Sequence, residues 1–281
     1  MAKRPVRRLN LKKTLFLLPN LITLSSIFCG FDAIRLSATG QGEEDFYRAA
    51  LLIVFAMVFD MLDGRVARLT KTQSAFGLQI DSLADVVSFG VAPGILVYEW
   101  SLHHFGVGGL IASFLFVAAG AVRLARFNVL SMGESGQPTK PSKYVVGLPI
   151  PGAAGILVAI VVANHSTGGV IGNAGYAPLV LAVTLGLSAL MVSTVRFRSF
   201  KEIKLDLPTA AFALFLVGSS AVVVTQTRPA FVLLHLLTCY VVLAIGESLW
   251  MVPGGLRKMR EARRAAPLEP DDARSSIPPQ D

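Results

Sequence analysis

Charge is scarce in this chain. Only 16% of its 281 residues are Asp, Glu, Lys or Arg, where a soluble domain carries about 25%. With 53% hydrophobic residues and a mean hydropathy of +0.60, that shortfall excludes an ordinary soluble domain. Cysteine is nearly absent too. Cys29 and Cys239 each fall inside an apolar stretch and read as small buried hydrophobes, not as a disulfide framework. The chain also lacks interleaved basic and aromatic residues and has no soluble basic domain. The net charge of +8 therefore does not point to nucleic acid.

What is present is a series of apolar blocks, each near the ~20 residues a bilayer-spanning helix needs. They predict about eight spans, roughly 14–36, 47–68, 81–101, 106–131, 147–165, 177–196, 209–226 and 230–252. The first is too long for a signal-peptide core and is followed by others, so it reads as a retained span. The expected fold class is all-α, a polytopic membrane helix bundle. The expected organisation is a basic arm at 1–13, one membrane domain at 14–252 and a disordered tail at 253–281. That tail is charged, Pro-rich and free of aromatics.

The positive charge is distributed by side. Lys3, Arg4, Arg7, Arg8, Lys12 and Lys13 open the chain, and alternate loops carry Arg65, Arg68 and Lys71, then Arg123, Arg126, Lys140 and Lys143, then Arg196, Arg198, Lys201 and Lys204. The intervening loops hold little beyond Arg35, Arg48 and Arg228. The positive-inside rule places both termini, and the link at 69–80, in the cytoplasm. The acidic turn at 40–45 and the Gly-rich stretch at 165–176 fall outside. His103, His104 and His165 sit near external ends, away from the chemistry argued next.

The acids that matter lie at the junction of the second and third blocks. Asp60-x-x-Asp63-Gly64-x-x-Ala67-Arg68 is followed, eight residues on, by Gly77-x-x-x-Asp81-x-x-x-Asp85. On insertion scales a carboxylate costs about 2.5–3.5 kcal/mol at the centre of a membrane helix. A like-charge pair at about 4 Å adds around 4 kcal/mol at an effective dielectric of 20. Four such groups together are tolerable when cations bind there. Spacings of three and four put Asp60, Asp63 and Ala67 on one face of a helix, and Asp81 and Asp85 on one face of the next. A short turn between them lets those faces oppose. Gly64, Ala67 and Gly77 lack bulk and allow close approach. Arg68, one turn beyond Asp63, is placed to reach an anionic substrate. Carboxylate oxygens suit Mg²⁺, Mn²⁺ or Ca²⁺, and the absence of His and Cys from the frame argues against zinc. Four carboxylates are enough for two ions about 3.5–4 Å apart, an arrangement suited to phosphoryl transfer.

This frame resembles the signature of the CDP-alcohol phosphatidyltransferase family, with every fixed position occupied. The resemblance implies a six-helix core within the bundle, a homodimer, and transfer of a phosphatidyl group from a CDP-linked lipid to an alcohol with release of CMP. Pro19-Asn20-Leu21-Ile22-Thr23, the segment from Ser88 to Pro93, that from Arg123 to Asn128, Gly147-Leu148-Pro149-Ile150-Pro151, and the stretches Leu190–Ser193 and Arg196–Lys201 resemble the branch whose substrates are CDP-diacylglycerol and L-serine. By the same resemblance Asp60, Asp63, Asp81 and Asp85 would hold two divalent cations, Mg²⁺ or Mn²⁺. Asp85 would also take the proton from the attacking hydroxyl. Gly64, Ala67 and Gly77 would shape the nucleotide pocket, and Arg68 would face the diphosphate.

Other features divide between anchoring and binding. Arg123, Arg126, Arg196 and Arg198 read either as positive-inside anchors or as ligands for the serine carboxylate or lipid phosphate. Asn20 and Thr23 would hydrogen-bond between helices or touch the nucleotide. Pro149 and Pro151 would begin or kink the fifth span. Rival acceptors are glycerol 3-phosphate, inositol phosphate and choline. An ion-coupled transporter is the rival of another class, disfavoured because no acid continues the path through the membrane.

Overall fold

The computed structural model describes residues 11–40, 42–72, 74–131, 144–169 and 171–198, with short helical pieces at 219–220, 231–232, 234–239, 241–242 and 246. The basic residues before Leu11, most of the expected seventh and eighth spans and the C-terminal tail lie outside the described residues. What is described is an all-α membrane helix bundle. Its elements are α1 (Leu11–Thr39), α2 (Glu43–Thr70), α3 (Ala75–Asp85), a π-helical turn (Val86–Val91), α4 (Ala92–Trp100), a 3₁₀ turn (Leu102–Phe105), α5 (Val107–Ser131), α6 (Ile150–Ser166) and α7 (Ala177–Val192).

Among the described residues, three helical runs are long and apolar enough to cross a bilayer: Leu18–Thr39, Ala75–Trp100 and Val107–Leu130, with shorter apolar helices at Ile150–Ser166 and Ala177–Val192. Helix α2 has the length, at 28 residues. Its apolar run is broken by Asp60, Asp63, Arg65 and Arg68, the residues singled out above.

Several boundaries depart from the sequence expectation. Helix α1 begins at Leu11, so the last residues of the expected arm are helical, and Pro19 lies inside the helix. The link expected at 69–80 shrinks to residues 71–74. Lys71 ends α2 in a left-handed conformation (φ 54°), and the Thr72 N–H returns to the Ala67 carbonyl. Ser74 then caps α3, its Oγ accepting from the Gly77 N–H at 2.9 Å. Glu43, Glu44 and Asp45, expected in an external turn, form the first turn of α2, where the helix dipole favours negative charge.

The third span is not a regular helix. Pro93 has no N–H to give the Phe89 carbonyl, and its ring crowds that turn. The register widens just before it, and the Ala92 N–H bonds to the Val87 carbonyl, five residues back. The widened turn begins at the residue after Asp85.

Packing relies on small residues. Helices α1 and α2 lie along each other, with Ala33, Ala49, Ala50 and Ala56 wholly buried. Gly30 lets the Ser88 backbone approach so closely that a Cβ there would sit 2.8 Å from its Cα. Phe89, Leu96, Phe116, Ile150 and Leu157 fill the centre. Leu21, Leu24, Phe28, Phe31, Phe55 and Phe114 face outward, as lipid-facing residues do in a bundle whose backbone polar groups are satisfied within its helices.

One local feature escaped the helical reading. Strands β1 (Tyr144–Val146) and β2 (Arg196–Arg198) pair antiparallel. They tie the entry of α6 to the exit of α7. Gly147 (φ 81°) makes the turn possible, and its N–H donates to the Val195 carbonyl at 2.8 Å. Arg196 and Arg198 therefore belong to a strand, where the sequence suggested the end of the sixth span and the loop after it. Pro149 and Pro151 do open α6, as their position predicted.

Candidate active site

The tight link at 71–74 folds the end of α2 against α3. As a result Asp60, Asp63 and Asp81 bring one carboxylate oxygen each within 4.8 Å of one another. Asp85, one turn past Asp81, is in side-chain hydrogen-bonding contact with Asp60. Its Oδ1 is nevertheless buried with no hydrogen-bond partner among the described residues. A buried orphan acceptor beside three crowded carboxylates is a poor structural element, since such an atom costs about 1–3 kcal/mol if left unmade. It is the donor set a hard divalent cation takes: several oxygens, no nitrogen or sulfur. The residues present therefore fit a divalent metal.

Two neighbours steady the cluster. Thr23 on α1 donates from Oγ1 to Asp63 Oδ2 at 2.5 Å, so of the two roles expected for Thr23 the helix-to-helix hydrogen bond is the one observed. Arg123 on α5 is buried and lies near enough to Asp85 to act on it by charge. Its guanidinium carbon stands 5.3 Å from the Phe127 ring centre.

The small residues flank this cluster. A side chain at Gly64 would meet only the Arg68 guanidinium, Nη1 at 3.6 Å. Arg68 thus folds back over Gly64 from one turn away, with open space around both. A Cβ at Gly77 would lie 3.2 Å from Ser74 Oγ and 3.9 Å from Asn20 Oδ1, which sets Asn20 beside the start of α3. Ala67 is half-buried on the same helix as Gly64 and Arg68.

The basic residues divide. Arg123 joins the aspartates. Arg126 donates from Nη1 to the Val192 carbonyl at 3.3 Å, a cation at the C-terminal end of α7. Arg196 and Arg198 pair by backbone with Val146 and Tyr144, and their side chains lie outside the described set.

Three polar ties between helices were not anticipated as such. Asn128 Nδ2 donates to Ser82 Oγ at 2.9 Å, fixing α5 to the residue after Asp81. Ser88 Oγ donates to the Ser26 carbonyl at 3.0 Å, while Ser26 Oγ donates to the Ala56 carbonyl at 3.1 Å. The available signal was a hydroxyl or amide in an otherwise apolar span, which has to find a partner across a helix interface.

The chain resembles known proteins over most of its length. Residues 16–194 match the family model described as CDP-alcohol phosphatidyltransferase. A Helicobacter pylori protein named CDP-diacylglycerol–serine O-phosphatidyltransferase is 41% identical over 226 residues, covering 80% of this chain and 90% of its own length. Proteins of the same name are 30% identical over 273 residues in Mycobacterium tuberculosis, covering 93% of each chain. In Bacillus subtilis the figure is 33% over 186 residues, covering 66% of this chain and 92% of the relative. A match across more than half the chain, with relatives this similar over most of it, makes this protein a member of the CDP-alcohol phosphatidyltransferase family.

Proposed function

We propose that this chain transfers the phosphatidyl group of CDP-diacylglycerol to the hydroxyl of L-serine, giving phosphatidylserine and CMP. The single observation that carries the reading is the carboxylate cluster, three aspartates within 4.8 Å with the orphaned oxygen of Asp85 beside them. The names borne by the relatives support serine as the acceptor. Glycerol 3-phosphate, inositol phosphate and choline are the alternatives the experiment must exclude.

In this reading Asp60, Asp63, Asp81 and Asp85 hold two divalent cations, Mg²⁺ or Mn²⁺. Such ions supply charge neutralisation for the diphosphate, which needs positioning and electrostatic help more than covalent help. Arg68 faces the diphosphate from its place over Gly64. Gly64, Ala67 and Gly77 leave room for the nucleotide. Asp85 accepts the proton of the serine hydroxyl as the serine oxygen attacks the phosphatidyl phosphorus. The bond from that phosphorus to the bridging diphosphate oxygen breaks, and CMP departs with that oxygen. Arg123, buried beside Asp85, holds the serine carboxylate or the lipid phosphate. Arg126, Arg196 and Arg198 lie further round the same end of the bundle and serve membrane anchoring or lipid contact.

The protein is a membrane protein, and the distribution of Lys and Arg supports a cell-membrane orientation with both termini and the aspartates on the cytoplasmic side. A Cys introduced at position 75 should then label only when the cytoplasmic face is open to reagent. Labelling from outside intact cells reverses the orientation. A homodimer is part of the same reading, by family resemblance.

The test of function is an acceptor screen. Purified protein receives CDP-diacylglycerol and Mg²⁺ or Mn²⁺, and CMP release is followed with serine, glycerol 3-phosphate, choline or inositol phosphate. Release that depends on serine and metal supports the proposal. Release with another acceptor and not with serine overturns it.

A further inference from the structure

Hydroxyls on α1 mostly turn inward upon their own helix. Ser25 donates to the Leu21 carbonyl at 3.0 Å, Ser37 to Ala33 at 2.8 Å and Thr39 to Arg35 at 2.9 Å. Thr23 has the same option, since its Oγ1 stands 3.0 Å from the Pro19 carbonyl. It also stands 2.5 Å from Asp63 Oδ2 on α2. A hydroxyl has one proton to give, and two acceptors compete for it. The carboxylate is the stronger, because hydrogen bonds to an ionised acceptor are shorter and roughly twice as strong as neutral ones. A distance of 2.5 Å is of that charge-assisted kind. Both side chains are 4% exposed, so water does not replace the bond readily.

Asp63 is thereby held by one oxygen. Oδ2 accepts from Thr23, which restrains the rotation of the carboxyl group, while one Asp63 oxygen stands within 4.8 Å of those of Asp60 and Asp81. Unlike Asp60 and Asp85, which touch each other, Asp63 takes its support from a third helix.

We propose that Thr23 is a positioning residue for Asp63: its hydroxyl fixes the carboxylate that faces Asp60 and Asp81, and so sets the affinity of the cluster for a divalent cation. This rests on reading the cluster as a metal site. Partners that orient a metal ligand typically change metal affinity 10–100-fold when removed. Val keeps the shape of Thr and deletes the hydroxyl, whereas Ser keeps the hydroxyl.

The experiment measures Mn²⁺ binding to substrate-free protein in detergent, following free Mn²⁺ by electron paramagnetic resonance. Wild type, Thr23→Val, Thr23→Ser and Asp63→Asn are compared. Their thermal midpoints are taken in EDTA. Thr23→Val should weaken Mn²⁺ binding about 10–100-fold and recover much of its turnover at saturating Mn²⁺, while Thr23→Ser binds as wild type does. If the Val variant does not purify folded, Thr23→Ala makes the same comparison with Ser. Unchanged Mn²⁺ affinity in Thr23→Val, beside a weakened Asp63→Asn, overturns the role of Thr23 and leaves the metal site standing. A lowered midpoint in EDTA with wild-type affinity does the same and assigns Thr23 to helix packing alone. If wild type binds Mn²⁺ no better than Asp63→Asn, the reading of the cluster falls, and this inference with it.

Discussion

The two ends of the bundle both gather carboxylates, and they treat them in opposite ways. At one end, Glu43 Oε2 accepts from Asn164 Nδ2 at 2.8 Å, and Asn164 Oδ1 accepts from the Ile171 N–H at 2.6 Å. Glu44 pairs with Arg48 at 3.1 Å, and Asp32 with Arg35 at 2.7 Å. The aromatic ring of Tyr47 stacks on His165 with centroids 4.1 Å apart. These acids have found partners within the chain. At the other end Asp60, Asp63 and Asp81 crowd together, Asp85 keeps a buried orphan oxygen, and Arg123 is the buried cation described beside them. A fold able to neutralise its acids at one end has left them in mutual contact at the other. The first end pairs its acids within the chain, while the second is built to receive charge from outside.

The sharpest way to break this comparison is to remove charge from the second end. Asp60→Asn or Asp81→Asn should abolish CMP release at any practical metal concentration, since each deletes a charged ligand from a shared site. The thermal midpoint in EDTA should hold or rise, because like-charge repulsion is relieved. A variant retaining more than about a tenth of the wild-type rate, a barrier change below about 1.4 kcal/mol, would mean that the residue is not a ligand. A fall in midpoint would place these acids in the same class as Glu43.

A somewhat smaller effect separates Asp85 from its neighbours. Asp85→Asn should lower turnover by about 10²–10⁴-fold, the usual contribution of a general base, while CDP-diacylglycerol binding is kept by Asp60, Asp63 and Asp81. Titration of the nucleotide lipid and the rate at saturating serine are needed together. A parallel loss of affinity and rate would make Asp85 chiefly a ligand. No loss in either would remove it from the mechanism.

The second end was far more legible in the sequence than the first, for a physical reason. Asp60, Asp63, Asp81 and Asp85 announce themselves because a membrane helix seldom carries acids, and spacings of three and four already put them on shared faces. The spans at 106–131 and 177–196 were close to α5 and α7 because apolar blocks of that length leave few alternatives. The partners of the acids were less legible. Thr23 meets Asp63 across 40 positions of sequence, and Asn128 meets Ser82 across 46, distances at which no periodicity speaks. The π-helical turn at Val86–Val91 follows from Pro93 only once the segment is known to stay helical through it. The β1–β2 pair was missed because three-residue strands bear no pattern, and Gly147 alone hinted at the turn. Asn164 and Glu43 gave no signal of their pairing, which spans 121 positions of sequence.

That pairing supplies the mildest test, with an effect on stability and none on chemistry. Asn164 is completely buried and serves two partners at once, the Glu43 carboxylate on α2 and the Ile171 N–H in the segment leading to α7. Asn164→Leu keeps much of the volume and strands both. An unsatisfied buried donor or acceptor costs about 1–3 kcal/mol, and more where the group is charged. Gly172 adds to the constraint: a Cβ there would lie 2.6 Å from Trp100 Nε1 and 3.0 Å from Glu43 Oε1, so the segment has little room to shift towards a new partner. The variant should unfold at lower temperature in detergent, yet the folded fraction should release CMP at the wild-type rate and bind Mn²⁺ with wild-type affinity, because the aspartates lie at the opposite end of α2. Thermal midpoint, rate per folded molecule and Mn²⁺ titration check this together. A changed rate or metal affinity at an unchanged midpoint would show that the two ends communicate, and the division between an end that pairs its own acids and a receptive one would fail.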